Sequence, residues 1–211
     1  MIRKIMSTPT AVCIVLLLSA PAVTPGGQAY VAGSYSVVFY SGRGGNKDIY
    51  ILNPGKKEPR RLTDHPAQDL CPAASPDGKR IAFLSDRDGN MDIYTMAIDG
   101  GDVRRLTSSP ETGMHPEFTP DGKRILFVRD FEKRTEIWIM NTDGSTPRRL
   151  TSGEARDENA MWSPDGRSIV FQRVRDGNFE IYRVNRDGSD PVRLTNDPAW
   201  DGWASFVPSR K

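Results

Sequence analysis

The sequence predicts an all-β protein, a β-propeller of four four-stranded blades. Three observations carry this: a 44-residue repeat without insertions, strand-forming composition inside each unit, and ends offset so that the chain can close on itself. The repeat is plainest at its turns. Ser75-Pro76-Asp77-Gly78 returns as Thr119-Pro120-Asp121-Gly122 and as Ser163-Pro164-Asp165-Gly166. Phe39, Phe83, Phe127 and Phe171 keep the same step, as do Tyr50, Tyr94, Trp138 and Tyr182, and Leu62, Leu106, Leu150 and Leu194.

Within a unit every segment reads as strand or turn. Lys79–Ser85 is rich in β-formers and follows the Pro-Asp-Gly turn. Asp86–Asn90 is a polar turn, since Gly89 and Asn90 tolerate positive φ. Asp92–Met96 is the next strand, Asp99-Gly100 turns the chain, Arg104–Thr107 is a third strand, and Met114–Phe118 begins the following unit. No stretch keeps an apolar spacing of 3.6, which disfavours helical repeats.

The ends set the expected closure. Ser34–Phe39 matches the second strand of a unit and Trp203–Pro208 matches the first. The C-terminal strand should therefore pair with the N-terminal blade and remove an exposed edge. Either one chain forms a four-bladed ring, or two chains exchange end strands into an eight-bladed homodimer.

Residues 1–29 read as a secretory signal: Arg3 and Lys4, an apolar run from Ala11 to Val23, then small residues to Ala29. The run falls short of the about 20 apolar residues that span a bilayer, so no stable membrane insertion is expected after cleavage. Cleavage after Ala22 or Ala29 fits, the latter better, leaving residues 30–211 as the propeller. Of 29 basic and 27 acidic residues, that segment holds two bases and no acid, so the remainder is balanced. A balanced chain carries no nucleic-acid signature. Cys71 would be the one cysteine left, which excludes an internal disulfide.

The unit Ser-Pro-Asp-Gly-Lys-Arg-Ile-Ala-Phe-x-Ser-x-Arg-Asp-Gly-Asn-x-Asp-Ile-Tyr, with Arg-Arg-Leu-Thr downstream, resembles the TolB-type (WD40-like) propeller repeat from about residue 33 to 208. The resemblance implies a periplasmic or secreted protein that engages an envelope protein. TolB itself carries six blades behind a small α/β domain, and four units here depart from that plan. The same repeat also forms the propeller of certain serine oligopeptidases. Their catalysis belongs to a hydrolase domain, whose Gly-x-Ser-x-Gly elbow this sequence lacks.

Function should sit where the units differ. The loops at Asp86–Asn90 and Ser108–Met114 share one rim, the top face, where each chain crossing into an inner strand varies. One position reads Cys71, His115, Asn159, Trp203; two earlier it reads Asp69, Gly113, Asp157, Asp201; between them stand Leu70, Met114, Glu158, Gly202. In a closed ring these converge on the channel mouth, as a binding site or as a plug of side chains. Asp69, Met114, His115, Glu158, Trp200 and Trp203 are the expected contacts of a protein partner, since Trp and Met are enriched at interface cores.

Alternatives follow from the same positions. Asp69, Asp157 and Asp201 could hold a divalent cation in the channel, although no cofactor is expected. Asp86, Asp88, Asn90 and Asp92 alternate like calcium ligands, but Gly89 is misplaced for an EF-hand loop, which favours turn chemistry. Cys71 and His115, oriented by Asn159, are the best catalytic idea, and a poor one. The pairs Arg60-Arg61, Arg104-Arg105 and Arg148-Arg149 read as charge guarding the outermost strand. The expected function is a non-enzymatic protein-binding or scaffold module; a receptor for a small ligand or cation comes second and an enzyme third.

Overall fold

A computed structural model describes residues 35–207 except 110 and 176, together with the strand Val15–Leu16. The described residues form strands and turns with no helix. Blade one comprises β1 (Val15–Leu16), β2 (Val37–Ser41), β3 (Asp48–Leu52) and β4 (Arg60–Arg61). Blade two holds β5 (Asp69–Ala74), β6 (Arg80–Ser85), β7 (Asp92–Ala97) and β8 (Arg104–Arg105). Blade three holds β9 (Thr112–Phe118), β10 (Arg124–Asp130), β11 (Thr135–Asn141) and β12 (Arg148–Arg149), and blade four β13 (Arg156–Trp162), β14 (Ser168–Arg175), β15 (Asn178–Asn185) and β16 (Val192–Arg193). Neighbours within each blade are antiparallel, and a single parallel bridge, Thr135 to Arg156, joins blades three and four into one eight-stranded sheet.

Packing on both faces explains the sequence pattern. Ile81 and Phe83 face blade one, where they meet Val38, Ile49 and Ile51, while Ala82 and Leu84 face blade three and meet Ile125 and Phe127. The side-chain period of two thus deals alternate residues to two neighbours, so a central strand reads as a continuous apolar run. Phe83, Phe127 and Phe171 are fully buried, each contributing about 2 kcal/mol.

The Pro-Asp-Gly turns are as expected. Gly78, Gly122 and Gly166 have φ of 68°, 68° and 66°, and Asp77 accepts hydrogen bonds from the Ser75 hydroxyl and the Lys79 amide. These bonds favour the carboxylate and hold Asp77 below its ordinary pKa. The inner strands of blades two, three and four each carry a bulge, placed between Leu70 and Ala73 in β5, between Met114 and Glu117 in β9 and between Glu158 and Met161 in β13. At these bulges Cys71, His115 and Asn159 take φ of 47°, 48° and 52°, the left-handed region that side chains other than glycine seldom enter.

Closure differs from expectation. Residues 201–207 form no strand and pair with no edge, and the described residues contain no closed sheet. The inner edge of β2 instead receives β1, with Val15 opposite Val38 and Leu16 opposite Val37. Apolar clusters join blade one to two, two to three and three to four, and among the described residues no cluster joins four to one. The expected leader, 1–29, lies outside the described residues apart from Val15–Leu16.

Candidate binding face at the channel mouth

Two ionic networks hold the site in place. The first places a buried acid at or near the start of each third strand: Asp48, Asp92, Glu136 and Glu180. Arg61, Arg105, Arg149 and Arg193 on the outer strands reach these acids at 2.6, 2.6, 3.2 and 2.7 Å. Thr63, Thr107, Thr151 and Thr195 accept the amide following each acid, tying the outermost strand to its blade. The preceding arginine turns to the next blade, with Arg60 donating to the Asp99 carbonyl and Arg148 to that of Asp187. In the Arg60-Arg61 and Arg148-Arg149 pairs one member thus clasps its own blade and the other its neighbour, whereas Arg104 bonds Asp102 of its own blade.

The second network ties the start of an inner strand to the two strands beside it. The Arg87 guanidinium stands over the Phe83 and Tyr94 rings at 5.5 and 4.9 Å and bonds both oxygens of fully buried Asp69. Arg173 does the same over Phe171 and Tyr182, bonding Asp157. The two arginines come from different repeat positions, four residues after Phe83 but two after Phe171, and still reach one place. Asp69 and Asp157 thus serve arginines, and no group of three metal-ligating acids, histidines or cysteines occurs among the described residues.

Blade three breaks the pattern. Gly113 replaces the acid, and Arg129 stacks 4.3 Å over Trp138 with its buried Nε unbonded among the described residues.

The remaining candidates divide into a connected group and outliers. Glu158 pairs with Arg156 at 3.0 Å and accepts from Gln172, whose carbonyl oxygen accepts the Trp203 amide at 3.3 Å. Burial holds the half-buried His115 imidazole below its ordinary pKa, opposed by the charge of Glu158. Trp200 packs edge-on against Phe179 and remains 53% exposed, and Trp203 remains 57% exposed. His115, Glu158, Gln172 and Trp203 therefore form one polar and aromatic lip. Cys71 instead packs against the cluster between blades two and three, Met114 against that between three and four. Asp201 donates its amide to the Phe179 carbonyl.

Gln172 escaped the sequence reading, although its repeat equivalents Tyr40, Leu84 and Val128 mark a position where a polar residue is unusual. The 86–92 loop is built from ties to its surroundings. Asp86 accepts the Gln68 amide, Asp88 the Tyr94 hydroxyl, and Asn90 donates to the Ser109 carbonyl. Burial, with the hydrogen bond to Asp88, raises the Tyr94 pKa well above its ordinary value. A groove of 510 Å³ opens on the same rim between blades one and two, lined by Gly42, Asn46, Lys47, Ala67, Gln68 and Asp86. Its sequence signal is Gly42 and Gly44 standing where unit two has Asp86 and Asp88.

Bulged inner strands, clasped outer strands and blade-to-blade apolar clusters define a propeller-type domain. The chain belongs to the TolB beta propeller domain family, whose model matches residues 14–133 and 108–211. Among solved structures it is similar to a TolB-type protein of Agrobacterium tumefaciens, with 28% identity and a TM-score of 0.67 over 76% of this chain and 61% of that one. TolB from Acinetobacter baumannii shares the fold at 24% identity and TM-score 0.65, over 76% of this chain and 40% of that one. So does a puromycin-hydrolyzing peptidase of Mycobacterium tuberculosis, at 21% and 0.63, over 81% and 30%. The chain spans about three-fifths and two-fifths of the two TolB structures. No curated protein sequence matches it.

Proposed function

We propose that the chain is a non-enzymatic protein-binding module of the cell envelope, periplasmic or secreted, that takes its partner on the mouth lip. The observation that carries this is the pair of half-exposed tryptophans, Trp200 and Trp203, beside His115, Glu158 and Gln172. Large exposed aromatics rimmed by polar groups are the usual anchors of protein interfaces. Membership of the TolB beta propeller family supports an envelope partner by analogy of fold, which is weaker support than the lip itself.

A second reading, a small-ligand receptor, is favoured by the groove between blades one and two, whose volume suits a small molecule. An enzymatic reading has less support. The peptidase relative is covered over only 30% of its length, and Cys71 is engaged in packing away from the lip.

The test is a crosslinking capture from envelope extract with the secreted chain as bait, run beside Trp200→Ala and Trp203→Ala. One protein captured by the parent and lost from both variants supports the lip. Equal capture by all three overturns it and turns attention to the groove.

A further inference from the structure

We infer that the segment 201–207 is a donor strand, and that the edge of β2 in a second copy of this chain is its acceptor. The inference goes beyond the partner reading and does not depend on it.

The segment already has the geometry of an inner strand. Trp203 holds φ 56°, matching 47°, 48° and 52° at Cys71, His115 and Asn159, the bulge residues of inner strands that do pair. Here the left-handed residue is adopted without a sheet partner, and Trp203 and Val207 are left 57% and 86% exposed. β2 in turn accepts an antiparallel strand on its inner edge: β1 holds it at Val37 and Val38, and β1 lies within residues 1–29, the leader whose removal on secretion would leave that edge free. Strand addition to such an edge is a common mode of recognition, its main-chain bonds giving affinity.

Charge fixes the register. In blades two and four the inner strand supplies an acid, Asp69 or Asp157, to an arginine stacked on the Phe–Tyr pair of the next two strands. Blade one has the arginine ready: Arg43 lies 5.2 and 4.9 Å over Phe39 and Tyr50, with its Nε bonded to Ser41 just as that of Arg87 is bonded to Ser85. Among the described residues no carboxylate is in ion-pair range of it. The repeat equivalent of Asp69 and Asp157 in the unpaired segment is Asp201, which also has no ion pair among the described residues. Seating 201–207 on β2 in inner-strand register brings Asp201 to Arg43.

The acceptor belongs to another copy because of how the blades pack. To reach its own β2, blade four would have to swing against blade one and repack the three interblade clusters, with their fully buried Phe83, Phe127 and Phe171. Close-packed interiors resist such a change. A second copy supplies the strand with every cluster left as it is, and exchange of an identical element is an inexpensive route to a dimer.

Light scattering on the secreted chain tests this, with no partner protein present. The parent should run at the mass of two chains. Arg43→Asp alone sets two acids together, Asp201→Arg alone sets two bases together, and each should dissociate at a concentration about tenfold or more above the parent. Mixed in equal amounts, the two variants should regain the two-chain mass, since one junction then carries the native pair and the other the reversed pair. Arg43 is exposed, so its substitution leaves the core intact, and thermal unfolding of each variant checks this. A parent that remains a single chain at micromolar concentration overturns the inference, as does a mixture that stays monomeric.

Discussion

Arg173 presents two nitrogens to Asp157, with Nε 2.6 Å and Nη2 2.8 Å from the two carboxylate oxygens. The guanidinium stands over the Phe171 and Tyr182 rings, and the Asp157 side chain is 3% exposed. The hydrogen bonds to Asp157 favour the charged guanidinium and raise the Arg173 pKa. A two-pronged, shielded contact of this kind fixes geometry as well as charge.

Asp157→Asn should therefore lower stability by about 3 kcal/mol, because it strands a half-buried guanidinium. Asp102→Asn, which removes a solvent-exposed partner of Arg80 and Arg104, should leave the midpoint unchanged within error. Urea unfolding of the two variants beside the parent measures both.

Gly113→Asp should stabilise the chain by about 1 kcal/mol by giving Arg129 a carboxylate. A Cβ at Gly113 meets Ile93 Cγ1 at 3.1 Å, so that side chain must give slightly. The repeat places Ile49 and Ile137 in the same relation to Asp69 and Asp157, which shows that the acid fits beside this neighbour. An unchanged or lower urea midpoint would show that Ile93 cannot move.

His115 gives stability a pH dependence. Its folded pKa lies below the ordinary 6.5, so between the two values the unfolded chain binds more protons. Its contribution is present above 6.5 and is lost as pH falls through the folded value. The urea midpoint of the parent should decline on acidification below 6.5. In His115→Asn, which tolerates the left-handed φ, that slope should flatten.

Gly188 turns at φ 86°, and a Cβ there would lie 2.4 Å from the Leu150 carbonyl oxygen of the preceding blade. Gly188→Ala should cost more than about 2 kcal/mol, combining the left-handed penalty with a backbone clash. Gly89, at φ 90° with nothing within 4 Å of its Cβ, should cost only about 1 kcal/mol when changed to alanine. Thermal melts of the pair separate conformational cost from close approach.

Much of the fold was legible because the repeat writes each local rule several times. Phe39, Phe83, Phe127 and Phe171 mark the buried strand, and the Pro-Asp-Gly turns mark the hairpins, in register with the observed β2, β6, β10 and β14. The lip was legible in part: His115, Glu158 and Trp203 stand out as differences between units, and the structure connects them through Gln172. The arginines that bond Asp69 and Asp157 were not legible. Arg87 and Arg173 occupy different repeat positions, so alignment of units hides that they fill one site.

What the sequence determined alone is everything of short range: the turns, the strand pattern, the 44-residue unit and the positions free to vary. Tertiary structure decided which charges meet and where the ends of the arc lie. Asp69 could serve a metal or Arg87 until packing placed the guanidinium against it at 3.1 Å. Closure likewise depends on the small angle at which one blade packs against the next. That angle arises from clusters of side chains contributed by two blades at once, and no single repeat encodes it.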